Sequence, residues 1–170
     1  MKIVIEKYNP EWTIEFDKEH RLLTASILES NIKVEHIGST SVNGLGAKPI
    51  IDIMIGLKDF KTADNHIAAI KNLGYNYIKK YESIMPNRRF FIKESGGNRT
   101  HHVHMVEINS EFWERLLRFR NHLRENKEDR DKYLELKINL AKREWEEIND
   151  FADAKTEFIR KIDKKLKKSN

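Results

Sequence analysis

The periodicity of the apolar residues changes near residue 110, and this change limits the possible folds more than any other feature of the chain. Before that point, β-branched and aromatic runs alternate with turns that contain glycine or proline, a pattern typical of strands. From Glu111 onwards, apolar residues recur at the spacing of amphipathic helices, with charges between them. The sequence therefore predicts an α+β fold: a mixed β-sheet with flanking helices, followed by a helical C-terminal third.

The bounds of the predicted elements follow from these patterns. Asn9 and Pro10 form a favourable helix start, and a helix is expected over about residues 10–30. Gly74 ends a second helix, which is expected over about residues 61–73. Strands are expected at 32–37, 50–55, 75–80, 88–93 and 101–106, the first two as neighbours. Three C-terminal helices are marked by Leu116, Leu117 and Leu123, by Tyr133, Leu136, Leu140 and Ile148, and by Phe151, Phe158, Ile159 and Ile162.

The composition restricts the class of protein. A chain of 170 residues, of which 39% are apolar, predicts one domain over 1–170, with 111–170 as a helical extension packed on it. Cysteine is absent, which excludes disulfides and thiolate metal sites. The sequence lacks an apolar run of bilayer length and an N-terminal signal pattern, so a cytoplasmic protein without membrane association is expected.

The net charge of +5 suits an anionic ligand, although the 32 basic residues are largely balanced by 27 acidic ones. The basic residues are dispersed among acids, and an aromatic-rich sheet motif is lacking. Nucleic-acid binding is therefore not favoured.

The segment from Gly38 to Asp52 carries the strongest functional signal. Gly38 ends a predicted strand and lets the backbone approach an anion closely, while Ser39 and Thr40 supply donors for phosphate. Asp52 lies in an otherwise apolar strand, where an unpaired carboxylate is costly. It must therefore meet a cation, a metal or hydrogen-bond donors. Both a functional role and a structural bond to nearby loop amides satisfy this requirement.

These residues resemble a known signature. Gly38-Ser39 followed by Asp52 is similar to the Gly-Ser…Asp motif of the nucleotidyltransferase superfamily, and the whole chain resembles the GrpB family assigned to it. The matching segments are His36-Ile-Gly-Ser-Thr-Ser-Val42, Lys48-Pro-Ile-Ile-Asp-Ile53, Arg88-Arg-Phe-Phe91, Thr100-His-His-Val-His-Met-Val-Glu107, Tyr133-x-x-x-Lys137 and Lys155-Thr-Glu-Phe-Ile159. The resemblance implies a nucleotidyltransferase-like fold in which the Ser39 loop binds nucleotide phosphates and Asp52 holds magnesium. Ser39 and Asp52 are accordingly the candidate catalytic residues.

One position departs from the superfamily pattern. The usual strand carries two carboxylates two residues apart, so that both reach the same metals, whereas here the second position is Met54. Histidines offer alternative ligands, because alternation places His102 and His104 on one face of a strand. We therefore predict either hydrogen-bonding and phosphate-binding roles for the histidines, or a site for Mg²⁺ or another divalent metal formed by Asp52, His36, His102 and His104.

Several basic residues near predicted strand ends are candidates for binding a polyphosphate, namely Lys48, Arg88, Arg89 and Arg99. Arginine binds phosphate through paired donors and lysine supplies a point charge, while a solvent-facing charge is the alternative for each residue. Lys137 and Lys155 lie on amphipathic helices, where lysines commonly extend into solvent. The segments that match the GrpB family include both lysines, so the resemblance adds them to the phosphate-binding candidates.

Three functions are compatible with these residues, each with a nucleotide or another phosphorylated small molecule as the partner. The resemblance implies the first, which is metal-assisted transfer of a nucleotidyl group from a nucleoside triphosphate to a small acceptor. The second is a nucleotide- or anion-binding module that lacks the activity, as Met54 permits. The third is a metal-dependent phosphohydrolase that uses the histidine cluster.

Overall fold

The computed structural model describes residues 2–169 and contains a five-stranded sheet. The strands are β1 (Lys33–Ile37), β2 (Ile51–Leu57), β3 (Asn76–Tyr77), β4 (Arg89–Ser95) and β5 (Asn98–Glu107). The helices are α1 (Glu11–Ser26), α2 (Ile67–Asn72), α3 (Glu111–Glu125), α4 (Lys127–Ala141), α5 (Ile148–Asp153) and α6 (Thr156–Lys168). The predicted α+β class and helical C-terminal third are confirmed. Within residues 2–169, the structure contains no helix with the length and apolarity needed to cross a bilayer.

The sheet is mixed, with the strand order β1-β2-β5-β4-β3. Strands β2 and β5 are parallel, and the other neighbouring pairs are antiparallel, so the predicted adjacency of β1 and β2 is confirmed. In the β2–β5 register, Asp52 lies opposite His102, and Met54 lies opposite His104. Because side chains alternate between the faces of a strand, these four side chains project from the same face of the sheet.

The two faces of the sheet bury separate apolar layers. Ile53, Val103 and Met105 are fully buried in a cluster with residues of α1 and α2, which confirms the predicted orientation of Val103 and Met105. On the opposite face, Met54 packs against Trp113 of α3. Met54 therefore fills a hydrophobic layer at the position where the superfamily pattern has its second carboxylate.

Some elements differ from the prediction. The segment expected as a helix over 61–73 starts as a 3-10 helix at Phe60–His66, because Asp59 accepts a hydrogen bond from the Lys61 amide and tightens the first turn. The extended segment expected at 75–80 is confined to β3, since a 3-10 helix follows at Lys79–Ser83. The second C-terminal helix ends at Ala141, where Trp145 donates a hydrogen bond to the Leu140 carbonyl, and Ile148 belongs to α5.

Candidate functional site

A cavity of about 510 Å³ lies between the loop after β1, the strands β2 and β5, and the C-terminal helices. This volume is suitable for a small-molecule ligand. The residues predicted from the sequence that line it are Ser39, Thr40, Lys48, Asp52, Arg88, Arg99, His102, His104, Lys137 and Lys155. Other parts of its wall come from Tyr81, Ile84, Phe90, Asn149, Phe151 and Asp153. The fold thus brings residues from distant segments of the chain to one concave surface.

The loop between β1 and β2, residues 38–50 and called here the serine loop, starts with an unusual backbone conformation. Gly38 has φ 70° and ψ −175°, a combination that is essentially restricted to glycine. A Cβ atom at this position would lie 2.5 Å from Oδ2 of Asp52, so the glycine allows the loop to touch the carboxylate. Residues Ser39–Ser41 then form a 3-10 turn, which the Ser41 hydroxyl stabilises by donating to the Gly38 carbonyl at 2.6 Å.

The serine loop is held in place by the C-terminal helices. Arg124 of α3 donates from Nε and Nη2 to the Ser41 carbonyl, at 3.0 and 2.8 Å. Tyr133 of α4 is buried, and burial raises the pKa of its hydroxyl, which therefore stays neutral, although the nearby Ser39 side chain acts in the opposite direction. Sequence reasoning missed the role of Arg124, because an arginine on an amphipathic helix has no local pattern that separates a loop contact from solvent exposure.

The hydroxyl of Thr40 is committed to internal hydrogen bonds. It donates to the Ile50 carbonyl at 3.3 Å, so it must accept from Nε2 of His36, which lies 3.0 Å away. The side chain of Thr40 therefore has no free hydrogen for a phosphate.

His36 does not line the cavity. It pairs with Ile53 in the β1–β2 register and stacks on Phe16, with ring centroids 4.6 Å apart. Burial lowers the pKa of His36 to about 4, Arg120 and Arg124 contribute in the same direction, and Asp52 opposes them. His36 is therefore a neutral, packed histidine, and the structure does not bring it together with the other histidines as the predicted metal site requires.

Asp52 and His102 form a hydrogen-bonded pair in the cavity, with Oδ1 and Nδ1 3.0 Å apart. Burial raises the pKa of Asp52, but the bond to His102 and the nearby positive charges outweigh this effect and lower it below its usual value. An ionised carboxylate only accepts hydrogen bonds, so Nδ1 of His102 is the donor. The Nε2 atom of His102 is buried without a hydrogen-bond partner in residues 2–169.

The donor groups of the cavity do not fit the metal site that the superfamily pattern implies. Asp52 already accepts from His102, Met54 is packed in the core, and Nδ1 of His104 lies 3.3 Å from the Arg88 guanidinium. In the part of the chain that the structure describes, no group of three or more histidine, aspartate or glutamate side chains is arranged to hold a metal ion.

The lysines of the cavity are crowded by positive charge. Burial lowers the pKa of Lys48 and of Lys155, with Arg99 adding to the effect at Lys48 and Asp52 opposing it at both residues. Lys137 is only 2% exposed, and its ammonium group donates to the Gly46 carbonyl of the serine loop. Burial, together with the charge of Lys155, lowers the pKa of Lys137 to about 7. An anion bound here would relieve this repulsion.

The low pKa of Lys137 predicts a pH-dependent stability. Between the folded pKa of about 7 and the usual value of 10.5, the unfolded chain binds more protons at this residue, so stability rises with pH. The free-energy cost of burying the charged ammonium group of Lys137 is fully present below pH 7. It is absent above the usual lysine pKa of 10.5. We expect the free energy of unfolding of Lys137→Met, relative to that of wild type, to be highest at pH 6. This difference should fall by several kcal/mol between pH 6 and pH 10.

Urea unfolding at pH 6, 8 and 10 measures this difference. Lys142→Met, an exposed lysine just after α4, serves as the matched control and should follow the wild-type profile. Parallel profiles for wild type and Lys137→Met would contradict the assignment of a depressed pKa to Lys137.

The arrangement of the sheet and helices defines a nucleotidyltransferase-like fold. The solved structure of the Cid1 poly(U) polymerase with bound MgGTP is similar to this chain with a TM-score of 0.54 and 13% identity, covering 82% of this chain and 45% of the polymerase. At this level of identity, the similarity concerns the fold alone.

The chain belongs to the GrpB family, whose model, described as GrpB protein, matches residues 2–165. The crystal structure of conserved protein GrpB from Enterococcus faecalis is similar with a TM-score of 0.85 and 38% identity, covering 98% of this chain and 99% of that one. A UPF0157 protein of Halalkalibacterium halodurans is 33% identical over 96% of this chain and 82% of its own length. The UPF0157 protein YqkA of Bacillus subtilis is 35% identical over 98% of this chain, which spans 48% of that relative.

Proposed function

We propose that this protein binds a nucleotide or another phosphorylated small molecule in the cavity, through the phosphate groups of the ligand. The observation that carries the proposal is the charge of the lining. Among residues 2–169, two acidic side chains line the cavity, Asp52 and Asp153. Five basic side chains line it, namely Lys48, Arg88, Arg99, Lys137 and Lys155. Phosphate oxygens satisfy lysine and arginine donors with charge-assisted hydrogen bonds, which are stronger than neutral ones.

The remaining walls of the cavity suit the rest of a nucleotide. Tyr81, Phe90 and Phe151 supply aromatic surface, and Asn149 supplies an amide near the hydroxyl of Tyr81, at 3.3 Å. An apolar and aromatic lining with a few polar groups is typical of small-molecule sites. A heterocyclic base can pack on such surface while its phosphates occupy the basic part of the lining.

Calorimetric titration with ATP, GTP, CTP, UTP and inorganic tripolyphosphate tests the proposal, each with and without Mg²⁺. We expect binding that does not require the metal and that weakens as salt is added, because the attraction is mainly between charges. Lys155→Gln should weaken binding by roughly tenfold, since it removes one charged partner. Lys164→Gln removes an exposed lysine of α6 and should leave affinity unchanged.

Two results would overturn the proposal. One is the failure of wild-type protein to bind any of these compounds at low salt. The other is an equal loss of affinity in Lys155→Gln and Lys164→Gln, which would indicate attraction to the overall positive charge rather than binding in the cavity.

Nucleotidyl transfer is a second candidate function, and the Asp52–His102 pair is the observation that favours it. In that reaction, an acceptor hydroxyl gives its proton to Nε2 of His102, and its oxygen bonds to the α-phosphorus of the nucleotide. The bond from the α-phosphorus to the bridging oxygen breaks, and pyrophosphate leaves. Asp52 keeps the imidazole in the required tautomer. Release of pyrophosphate from a bound triphosphate distinguishes transfer from binding alone.

A further inference from the structure

Arg88 and His104 form a contact whose hydrogen-bond direction is determined by chemistry. Nη1 of Arg88 lies 3.3 Å from Nδ1 of His104. A guanidinium group has donors and no acceptor, so Nδ1 of His104 must be the acceptor. The imidazole is therefore neutral and carries its hydrogen on Nε2. Burial lowers the pKa of His104 to about 3, which agrees with a neutral imidazole.

Aromatic rings hold both side chains in one orientation. The guanidinium carbon of Arg88 lies 5.0 Å from the ring centre of Phe90 and 5.9 Å from that of Phe112. The imidazole of His104 packs between the same two rings, with centroid distances of 4.9 and 5.7 Å. Because His104 and the two phenylalanines constrain it, the guanidinium group has little freedom to turn away from the cavity.

Arg88 is half-buried but lacks an acidic partner among the described residues. Its Nε atom is buried without a hydrogen-bond acceptor in residues 2–169, and none of the ion pairs of the described chain includes Arg88. The adjacent Arg89 differs, because its Nε donates to Asp64 at 2.6 Å and its Nη1 to the Pro86 carbonyl at 2.9 Å. A desolvated charged donor without an acceptor is costly, so the position of Arg88 is suited to an anion that enters from the cavity.

We propose that Arg88 is the residue that binds a phosphoryl group of the ligand, with two guanidinium N–H groups donating to two phosphate oxygens. His104 is a positioning residue, which fixes the orientation of the Arg88 guanidinium group by accepting the hydrogen bond from Nη1. It is not a metal ligand. The inference rests on the proposed function and assigns individual roles within that site. The planar guanidinium fits two oxygens of one phosphoryl group, which a lysine ammonium does not.

The first test compares the same substitution at neighbouring residues. Arg88→Lys keeps the positive charge and removes the paired N–H donors of the guanidinium group. We expect this variant to bind inorganic tripolyphosphate roughly 10- to 100-fold more weakly than wild type in calorimetric titrations. Arg89→Lys, whose side chain is already paired with Asp64, should bind within about twofold of wild type.

The second test concerns His104. Asparagine places an acceptor oxygen near the position of Nδ1, whereas leucine has similar size and no acceptor. His104→Asn should therefore retain most of the tripolyphosphate affinity, and His104→Leu should lose as much as Arg88→Lys. Circular dichroism and thermal unfolding identify any variant that fails to fold, in which case the Arg88 and Arg89 comparison decides the question.

The outcomes separate the inference from the function on which it rests. If wild type does not bind tripolyphosphate, the proposed function fails. If wild type binds, but Arg88→Lys and Arg89→Lys bind equally well, only the assignment of Arg88 fails. If His104→Leu binds as tightly as His104→Asn, the positioning role of His104 is refuted.

Discussion

Replacing Asp52 with asparagine is expected to strengthen binding of inorganic tripolyphosphate by roughly tenfold. The carboxylate lies in a cavity that binds anions in the proposed function, and its charge repels phosphate at separations of several ångströms. With an effective dielectric constant of about 20, such a pair costs on the order of 1–2 kcal/mol. Asparagine keeps an oxygen that accepts from Nδ1 of His102, which lies 3.0 Å from Asp52 in the wild type. The geometry of the pair is therefore preserved while the charge is removed.

The same variant tests nucleotidyl transfer. If the Asp52–His102 pair accepts the proton of an acceptor hydroxyl, Asp52→Asn should abolish pyrophosphate release while binding becomes tighter. Asp153→Asn is the matched control, because Asp153 also lines the cavity but is exposed, and its effect on affinity should be smaller. Loss of tripolyphosphate affinity in Asp52→Asn would contradict the electrostatic argument. Loss of binding only in the presence of Mg²⁺ would instead assign a metal to Asp52.

Gly38→Ala is expected to reduce the free energy of unfolding by roughly 2–4 kcal/mol and to weaken phosphate binding. Two effects combine at this position. The backbone conformation, with φ 70° and ψ −175°, is one that a residue with a Cβ atom rarely adopts. The added Cβ would also lie 2.5 Å from Oδ2 of Asp52 and 3.1 Å from its Cβ, so the serine loop or the strand must move.

Gly44→Ala separates these two effects. Gly44 is in the same loop and also has a positive φ, of 78°, but nothing lies within 4 Å of a Cβ atom built there. We therefore expect it to lose only about 1 kcal/mol from backbone strain and to retain phosphate affinity. Urea denaturation and titration with tripolyphosphate measure both quantities. Equal losses in the two variants would contradict a specific contact between Gly38 and Asp52.

Part of the site was predictable because it depends on local patterns. The β-branched runs of β1 and β2 mark the strands, and the turn between them contains the Gly38-Ser39 pair. Alternation in β5 places His102 and His104 on one face, and both line the cavity. The resemblance to the GrpB family brought in Lys137 and Lys155, which no periodicity distinguishes from solvated lysines on amphipathic helices.

Other features were not predictable from local patterns. His36 is only two residues before Gly38, but antiparallel pairing sets it opposite Ile53 and away from the cavity. The interaction of Asp52 with His102 depends on the register of two parallel strands, and a shift by one residue would turn one of them to the other face. The absence of a hydrogen-bond acceptor for Nε of Arg88, among residues 2–169, is recognisable only when its neighbours in space are known.

The sequence by itself determined the α+β class, most of the segments that form strands and helices, and which residue types are available for phosphate. Short-range periodicity is sufficient for this, because the faces of a strand or helix repeat every few residues. Only the tertiary structure decided which side chains share the cavity, which of them are already paired and which lack a partner. Those properties depend on the strand register and on how the C-terminal helices pack on the serine loop, and such contacts between distant segments have no local signature.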